Sequence, residues 1–255
     1  MIVNTPMNLG QMLSETFKVW RQQFIPLAIV MMIALFPLMF FNTIIAYKYP
    51  QFHTETASIT TLTPLLNLTY FFILALSFLL QMTATAYAYI VASKACRGET
   101  FSWDDALTIL KKRWLVFFGT QFFIGFLTML GTFLLVIPGI LVMINYSLTF
   151  PVMFAEANDG QYISRNSRKR SWKLVKGFRW RILGYGLVLL FLVSIVSVLE
   201  VIFYLIFSLS FKLSLSSILT YSWWPIFSTW LYLDIKGRKE SEELIPADIE
   251  VSSST

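Results

Sequence analysis

The chain alternates long apolar stretches with shorter polar connections, and the length of the apolar stretches points to its setting. A helix rises about 1.5 Å per residue, so roughly 20 mainly apolar residues cover the ~30 Å hydrocarbon layer of a bilayer. Six stretches meet or approach that length: Phe24 to Ala46, Leu68 to Ala92, Leu115 to Val136, Gly139 to Phe154, Ile182 to Phe207 and Leu213 to Leu233. Each is expected to be a transmembrane helix. Between the third and fourth, Pro138-Gly139 predicts a tight turn, because proline breaks the helical hydrogen-bond ladder and glycine permits the reversal. These two spans should form a hairpin. The first stretch exceeds the apolar core of a typical signal peptide and has no small-residue cleavage site after it, so it reads as a retained helix.

Composition supports this reading. Of 255 residues, 56% are hydrophobic and 13% charged, and the mean hydropathy is +0.66, values that belong to membrane proteins. The charges also carry topology, since short cytoplasmic loops hold the excess of Lys and Arg. Eighteen of the 20 basic residues fall on one set of alternate connections. These are Lys18 and Arg21; Lys94, Arg97, Lys111, Lys112 and Arg113; the eight from Arg165 to Arg181; and Lys236, Arg238 and Lys239. The other connections hold only Lys48 and Lys212. Five or seven spans would mix the two sets. The expectation is therefore an all-α integral membrane protein of six spans in three hairpins, with both termini cytoplasmic.

Each long cytoplasmic segment leads into an outward span through an amphipathic stretch with tryptophan near arginine. In the first, Asn8 can cap a helix whose apolar residues Leu9, Met12, Leu13, Thr16, Phe17 and Trp20 share a face, opposite Gln11, Glu15, Lys18 and Gln22. In the second, Ser102 and Asp105 make a capping-box pattern before a stripe of Trp103, Ala106, Leu107, Leu110 and Trp114. In the third, Arg165, Lys169, Trp172, Lys176 and Arg179 lie opposite Ile163, Ser167, Ser171, Leu174 and Phe178. Each hairpin is thus expected to follow a cytoplasmic helix lying in the membrane interface. The domain plan is an interfacial helix at 1–23, a six-span membrane domain at 24–233 with amphipathic segments at about 99–114 and 160–181, and a polar, disordered cytoplasmic tail at 234–255.

Several of these residues carry a family resemblance. Leu9-Gly10-Gln11-Met12-Leu13, Ile137-Pro138-Gly139-Ile140, Tyr146-Ser147-Leu148, Pro151-Val152, Glu156 and the run from Ser171 to Arg181 resemble the membrane domain associated with bacterial glycerophosphoryl diester phosphodiesterases. The resemblance covers most of the chain. It implies a multi-pass protein of the bacterial cytoplasmic membrane, often found without a catalytic domain. The enzymatic half of that family needs histidines and several carboxylates for metal and acid–base chemistry, whereas His53 is the one histidine here and is expected outside. Only 22 residues follow Leu233. No enzyme activity, cofactor or metal site is expected, and the lone Cys96 excludes an internal disulfide.

Two groups of side chains stand out as candidates for function. Arg165, Lys169, Trp172, Lys176 and Arg179 suit first of all the plain task of enforcing topology, and after it phospholipid headgroups or a protein partner. A nucleic-acid role does not fit a single short membrane-apposed helix. Glu200, Gln81, Gln121 and Asn145 are polar positions within spans. Such groups line solute paths in some proteins and hydrogen-bond helices together in more of them. Glu200 lies 19 residues beyond Arg181, about 28 Å along a helix, which puts it near the outer boundary, where Lys48 or Lys212 is a candidate partner. Gly119, Gly125, Gly131, Gly184 and Gly186 point to close helix approach, and Pro37, Pro151 and Pro225 to bends. The leading expectation is an envelope or lipid-interacting accessory protein of a transport or stress-response system. A small-solute or lipid transporter and an immunity protein against a membrane-active peptide remain alternatives.

Overall fold

The computed structural model describes residues 7–48, 64–99, 103–156, 164–207 and 215–244. His53, Ser102, Ile163 and Lys212 lie outside the described residues, as do the side chains of Lys48, Trp103 and Arg165. The described residues form helices throughout: α1 Leu9–Gln22, α2 Phe24–Lys48, α3 Pro64–Arg97, α4 Trp103–Leu134, α5 Val136–Tyr146, α6 Thr149–Ala155, α7 Ser164–Val175, α8 Arg179–Phe207 and α9 Leu215–Leu244. Among them, five segments are long and apolar enough to cross a membrane: Phe24–Phe41, Leu68–Arg97, Asp104–Leu134, Val136–Ala155 and Arg179–Ile202; the described part of the sixth expected stretch, in α9, is not one of them.

The expected breaks lie elsewhere than Pro138-Gly139. The reversal after α4 is made by Leu135 alone, in extended conformation, and Pro138 is the third residue of α5. The fourth span is itself interrupted at Ser147-Leu148, and Pro151 is the third residue of α6. Both prolines therefore sit where a helix has no use for a backbone N–H, since the first four donors lack an intrahelical acceptor. Gly139 serves packing instead. A Cβ on Gly131 would come within 2.9 Å of the Gly139 Cα, so these two glycines let α4 and α5 touch backbone to backbone. Gly119, Gly125, Gly184 and Gly186 have open space where a Cβ would point and do not mediate close approach.

Two other boundaries differ from expectation. The amphipathic stretch before the third span is the opening part of one continuous helix, α4. Residues 234–244, expected in a disordered polar tail, continue α9 to Leu244; residues 245–255 lie outside the described residues. Positive φ occurs at Gly98 and Gly177. At Gly98 it closes α3 in a Schellman turn, with the Glu99 N–H donating to the Lys94 carbonyl at 3.1 Å.

The core lies toward one end of the bundle. Every residue of α3 from Ala86 to Ser93 is buried, and so is most of α9 from Ser222 to Ile235. Ala84, Ala86, Ala88 and Ala92 are all buried and keep the α3 surface small where its neighbours, α9 among them, pack against it. Tyr89 of α3, Phe117 of α4 and Phe150 and Phe154 of α6 form an aromatic cluster with ring centroids 4.9–6.4 Å apart. Toward the other end the large apolar side chains face outward: Ile25 to Ile44 on α2, Leu68 to Leu79 on α3, Phe122 to Met143 on the α4–α5 hairpin and Leu187 to Ile202 on α8 supply most of them. Phe133, near the hairpin tip, is 87% exposed.

Much of the apolar face of α1, expected to meet a membrane surface, meets protein, while Phe17 on that face is 51% exposed. Met12, Thr16 and Val19 are buried, and α1 packs along α9. Its direction follows from its two ends: the Met7 N–H donates to Asp234 at 2.7 Å, and the Trp20 indole donates to Ser222 at 3.1 Å. The two helices therefore run antiparallel. Asn8 begins α1 with its backbone N–H donating to the Gln11 side chain at 2.9 Å.

Candidate functional site at the basic end

The basic helix α7 is divided lengthwise. Ser167, Ser171, Leu174 and Val175 are buried, while Lys169, Trp172, Lys173 and Lys176 are exposed. The same outward surface continues past the Gly177 turn into Arg179 and Trp180, the latter 85% exposed. Two contacts seat the inward side: the Ser171 hydroxyl donates to the Asn145 carbonyl at 2.9 Å, and the Arg168 guanidinium lies 4.0 Å from the centre of the Phe123 ring. The outward residues keep their cationic and aromatic groups clear of the bundle, a surface that can meet anionic headgroups or an acidic protein.

Behind this surface lie two buried carboxylates. Glu156, directly after α6, pairs with Arg170 at 2.8 Å and Lys236 at 3.9 Å and accepts a hydrogen bond from the Tyr232 hydroxyl. It joins α6, α7 and α9. Asp234, with its side chain fully buried, pairs with Arg181 at 3.2 Å and Arg238 at 3.0 Å and also accepts the Met7 amide. The Met7 carbonyl in turn accepts from Arg181 at 2.7 Å and Arg238 at 3.3 Å. The carbonyls that close α6 are covered by two guanidiniums: Arg113 reaches Met153 at 2.7 Å, and Arg97 reaches Phe154 at 3.3 Å and also Ala155. Cations at a helix C-terminus complement its negative dipole end. Several basic residues expected from the sequence to act as topology signals are thus fasteners of the core. Sequence reasoning did not single out Asp234. Its signal is a carboxylate inside the apolar run Trp230–Ile235 with Arg238 one turn later.

The intramembrane candidates occupy four helices. Gln81 is half-buried in α3, where its carbonyl accepts the Thr85 hydroxyl at 2.8 Å. Gln121 lines an open groove between α3 and α4. Asn145 sits beside α7, its side-chain oxygen buried and unpartnered. Glu200 is half-buried in the last third of α8. Among the described residues no three His, Cys, Asp or Glu side chains converge to hold a metal.

Compared with protein families, with curated proteins and with solved structures, the chain matches none.

Proposed function

We propose that the chain is a non-enzymatic, multi-pass protein of a bacterial cytoplasmic membrane. In this reading its basic end engages anionic phospholipid, as an envelope or lipid-interacting accessory of a transport or stress-response system. The observation that carries the proposal is the division of α7, with Lys169, Trp172, Lys176, Arg179 and Trp180 turned outward and the serine and leucine face turned inward. The arrangement proposed is six crossings in three hairpins with both termini cytoplasmic, and the neighbour packing of α2 with α3, α4 with α5 and α8 with α9 supports the hairpin pairing. The segregation of 18 of 20 basic residues supports the same orientation. The resemblance to the phosphodiesterase-associated membrane domain supports the bacterial setting. The test replaces Arg165, Lys169, Lys176 and Arg179 by glutamine in protein held in phosphatidylcholine nanodiscs and titrated with phosphatidylglycerol vesicles. Each basic residue near an anionic surface contributes about 1 kcal/mol, or about fivefold, so the four substitutions together should lower affinity by several hundredfold. Unchanged affinity in the folded variant would overturn the lipid-binding reading.

A second reading has one specific observation in its favour. The fourth span is broken at Ser147-Leu148, next to the buried, unpartnered side-chain oxygen of Asn145, and interrupted helices line the binding sites of many transporters. Solute or lipid flux across reconstituted vesicles that disappears in Asn145→Ala would favour a transporter; flux absent from the wild-type protein would dismiss it.

A further inference from the structure

On one outer flank of the bundle, α3 and α4 leave an open groove whose walls include Phe78, Met82, Phe118, Phe122, Gly125 and Met129. The α4 positions recur at intervals of four, three and four, so they form one stripe along the helix. From Phe118 to Met129 the stripe extends about 16 Å, close to half of the ~30 Å hydrocarbon layer, which is the depth of one leaflet. A Cβ on Gly125 would meet nothing within 4 Å. This glycine deepens the groove rather than bringing helices together.

The ends of the groove differ in chemistry. Toward the basic end stands Trp114, whose indole N–H donates to the Thr83 hydroxyl at 3.0 Å and whose ring stacks on Phe118 at 5.5 Å. About one turn below Trp114, Lys111 continues the same stripe, with Lys112 beside it, and both are exposed. A mainly apolar channel one leaflet deep, with Gln121 as a polar residue among its walls, that ends in tryptophan and two lysines complements an amphiphile with one apolar tail in the groove and a negative head. A second copy of this chain in the same orientation would bring its own basic end to the same level, where the lysines would repel it.

We propose that this groove holds one acyl chain of an anionic phospholipid from the cytoplasmic leaflet, with the phosphate at Lys111 and Lys112. The inference rests on the membrane-spanning reading but is independent of the α7 surface. It is tested on full-length protein in vesicles of phosphatidylglycerol and phosphatidylcholine carrying a photoactivatable group on the acyl chain. In the wild-type protein, cross-links should concentrate on residues 118–129 and on Phe78 and Met82. Gly125→Leu, which fills the groove, should remove them. Lys111→Gln with Lys112→Gln should keep the acyl cross-links and lower the preference for phosphatidylglycerol by about thirtyfold, each lysine near an anionic surface contributing about fivefold. The α7 glutamine variant should leave this site unchanged. Cross-links spread evenly over the outward faces of α2 and α8 would overturn the proposal, as would persistence of the site in folded Gly125→Leu or cross-links chiefly between two copies of the chain. The wild-type cross-linking pattern decides the matter if the Gly125→Leu protein does not fold. Loss of anionic preference in the α7 variant alone would support the α7 surface and overturn the lysine pair.

Discussion

Replacing Asp234 with alanine strips two guanidiniums and a backbone amide of their shared acceptor in a fully buried position. Breaking a buried ion pair from one side costs about 3–5 kcal/mol, because the surviving charges remain desolvated. Thermal unfolding of Asp234→Ala in mild detergent should show a loss of that order, well above that of Glu15→Ala, whose pair with Lys18 is exposed and 3.8 Å long. The glycines supply a second contrast. A methyl at Gly139 would stand 2.8 Å from the Thr132 backbone nitrogen, a group that cannot swing aside. Gly139→Ala should destabilise the protein by about 1–3 kcal/mol in the same measurement, and Gly125→Ala by much less. Sequence spacing alone treats the two glycines alike, because it cannot tell a glycine that meets a backbone from one that faces open space. Asp234 was legible only as an oddity. Its partners Met7 and Arg181 lie far away along the chain, and no local pattern announces them.

Helix α6 is seven residues long, too short to hold itself together in isolation. It depends on Arg97 and Arg113 at its final carbonyls and on the Tyr89–Phe117 aromatic cluster against Phe150 and Phe154. Arg113→Gln removes a charge-assisted hydrogen bond of about 1.5–3 kcal/mol. Hydrogen exchange should therefore accelerate in Thr149–Ala155 while rates in α8 stay unchanged; equal acceleration in both would mean that α6 opens only with the whole bundle. At this scale the sequence was most informative about apolar length and least informative about where helices stop. Pro138 and Pro151 mark new helices correctly, but a proline tolerated in a first turn places the break a few residues before itself. Leu135, which makes the turn, carries no such signal. The one-sided patterning of α1 and α7 was plain from periodicity, yet periodicity cannot say whether protein or lipid covers the apolar side.

Across the whole molecule, hydropathy located the apolar lengths but not the architecture. α2 is strongly apolar and turns much of its surface outward, whereas α9, with serine, threonine, tyrosine and tryptophan scattered through its apolar run, is enclosed by α1, α2, α3, α6, α7 and α8. Side chains that face lipid and those that face other helices are chemically alike, so sequence alone does not separate them. The proposed topology is testable at this scale. In a Cys96→Ser background, a cysteine at Gln51 should react with a membrane-impermeant maleimide in intact cells, and one at Ser241 only after permeabilisation. Reversed or equal labelling would refute the orientation. The clasp between Met7 and Asp234 also imposes an order on assembly. Ribosomes release the chain from its N-terminal side, so α1 emerges some 200 residues before the helix that covers Met12, Thr16 and Val19. A nascent chain stopped before Leu215 would already possess the five apolar segments named above and still have nowhere to seat its first helix. Helix α1, made long before α9, must wait for it to be packed.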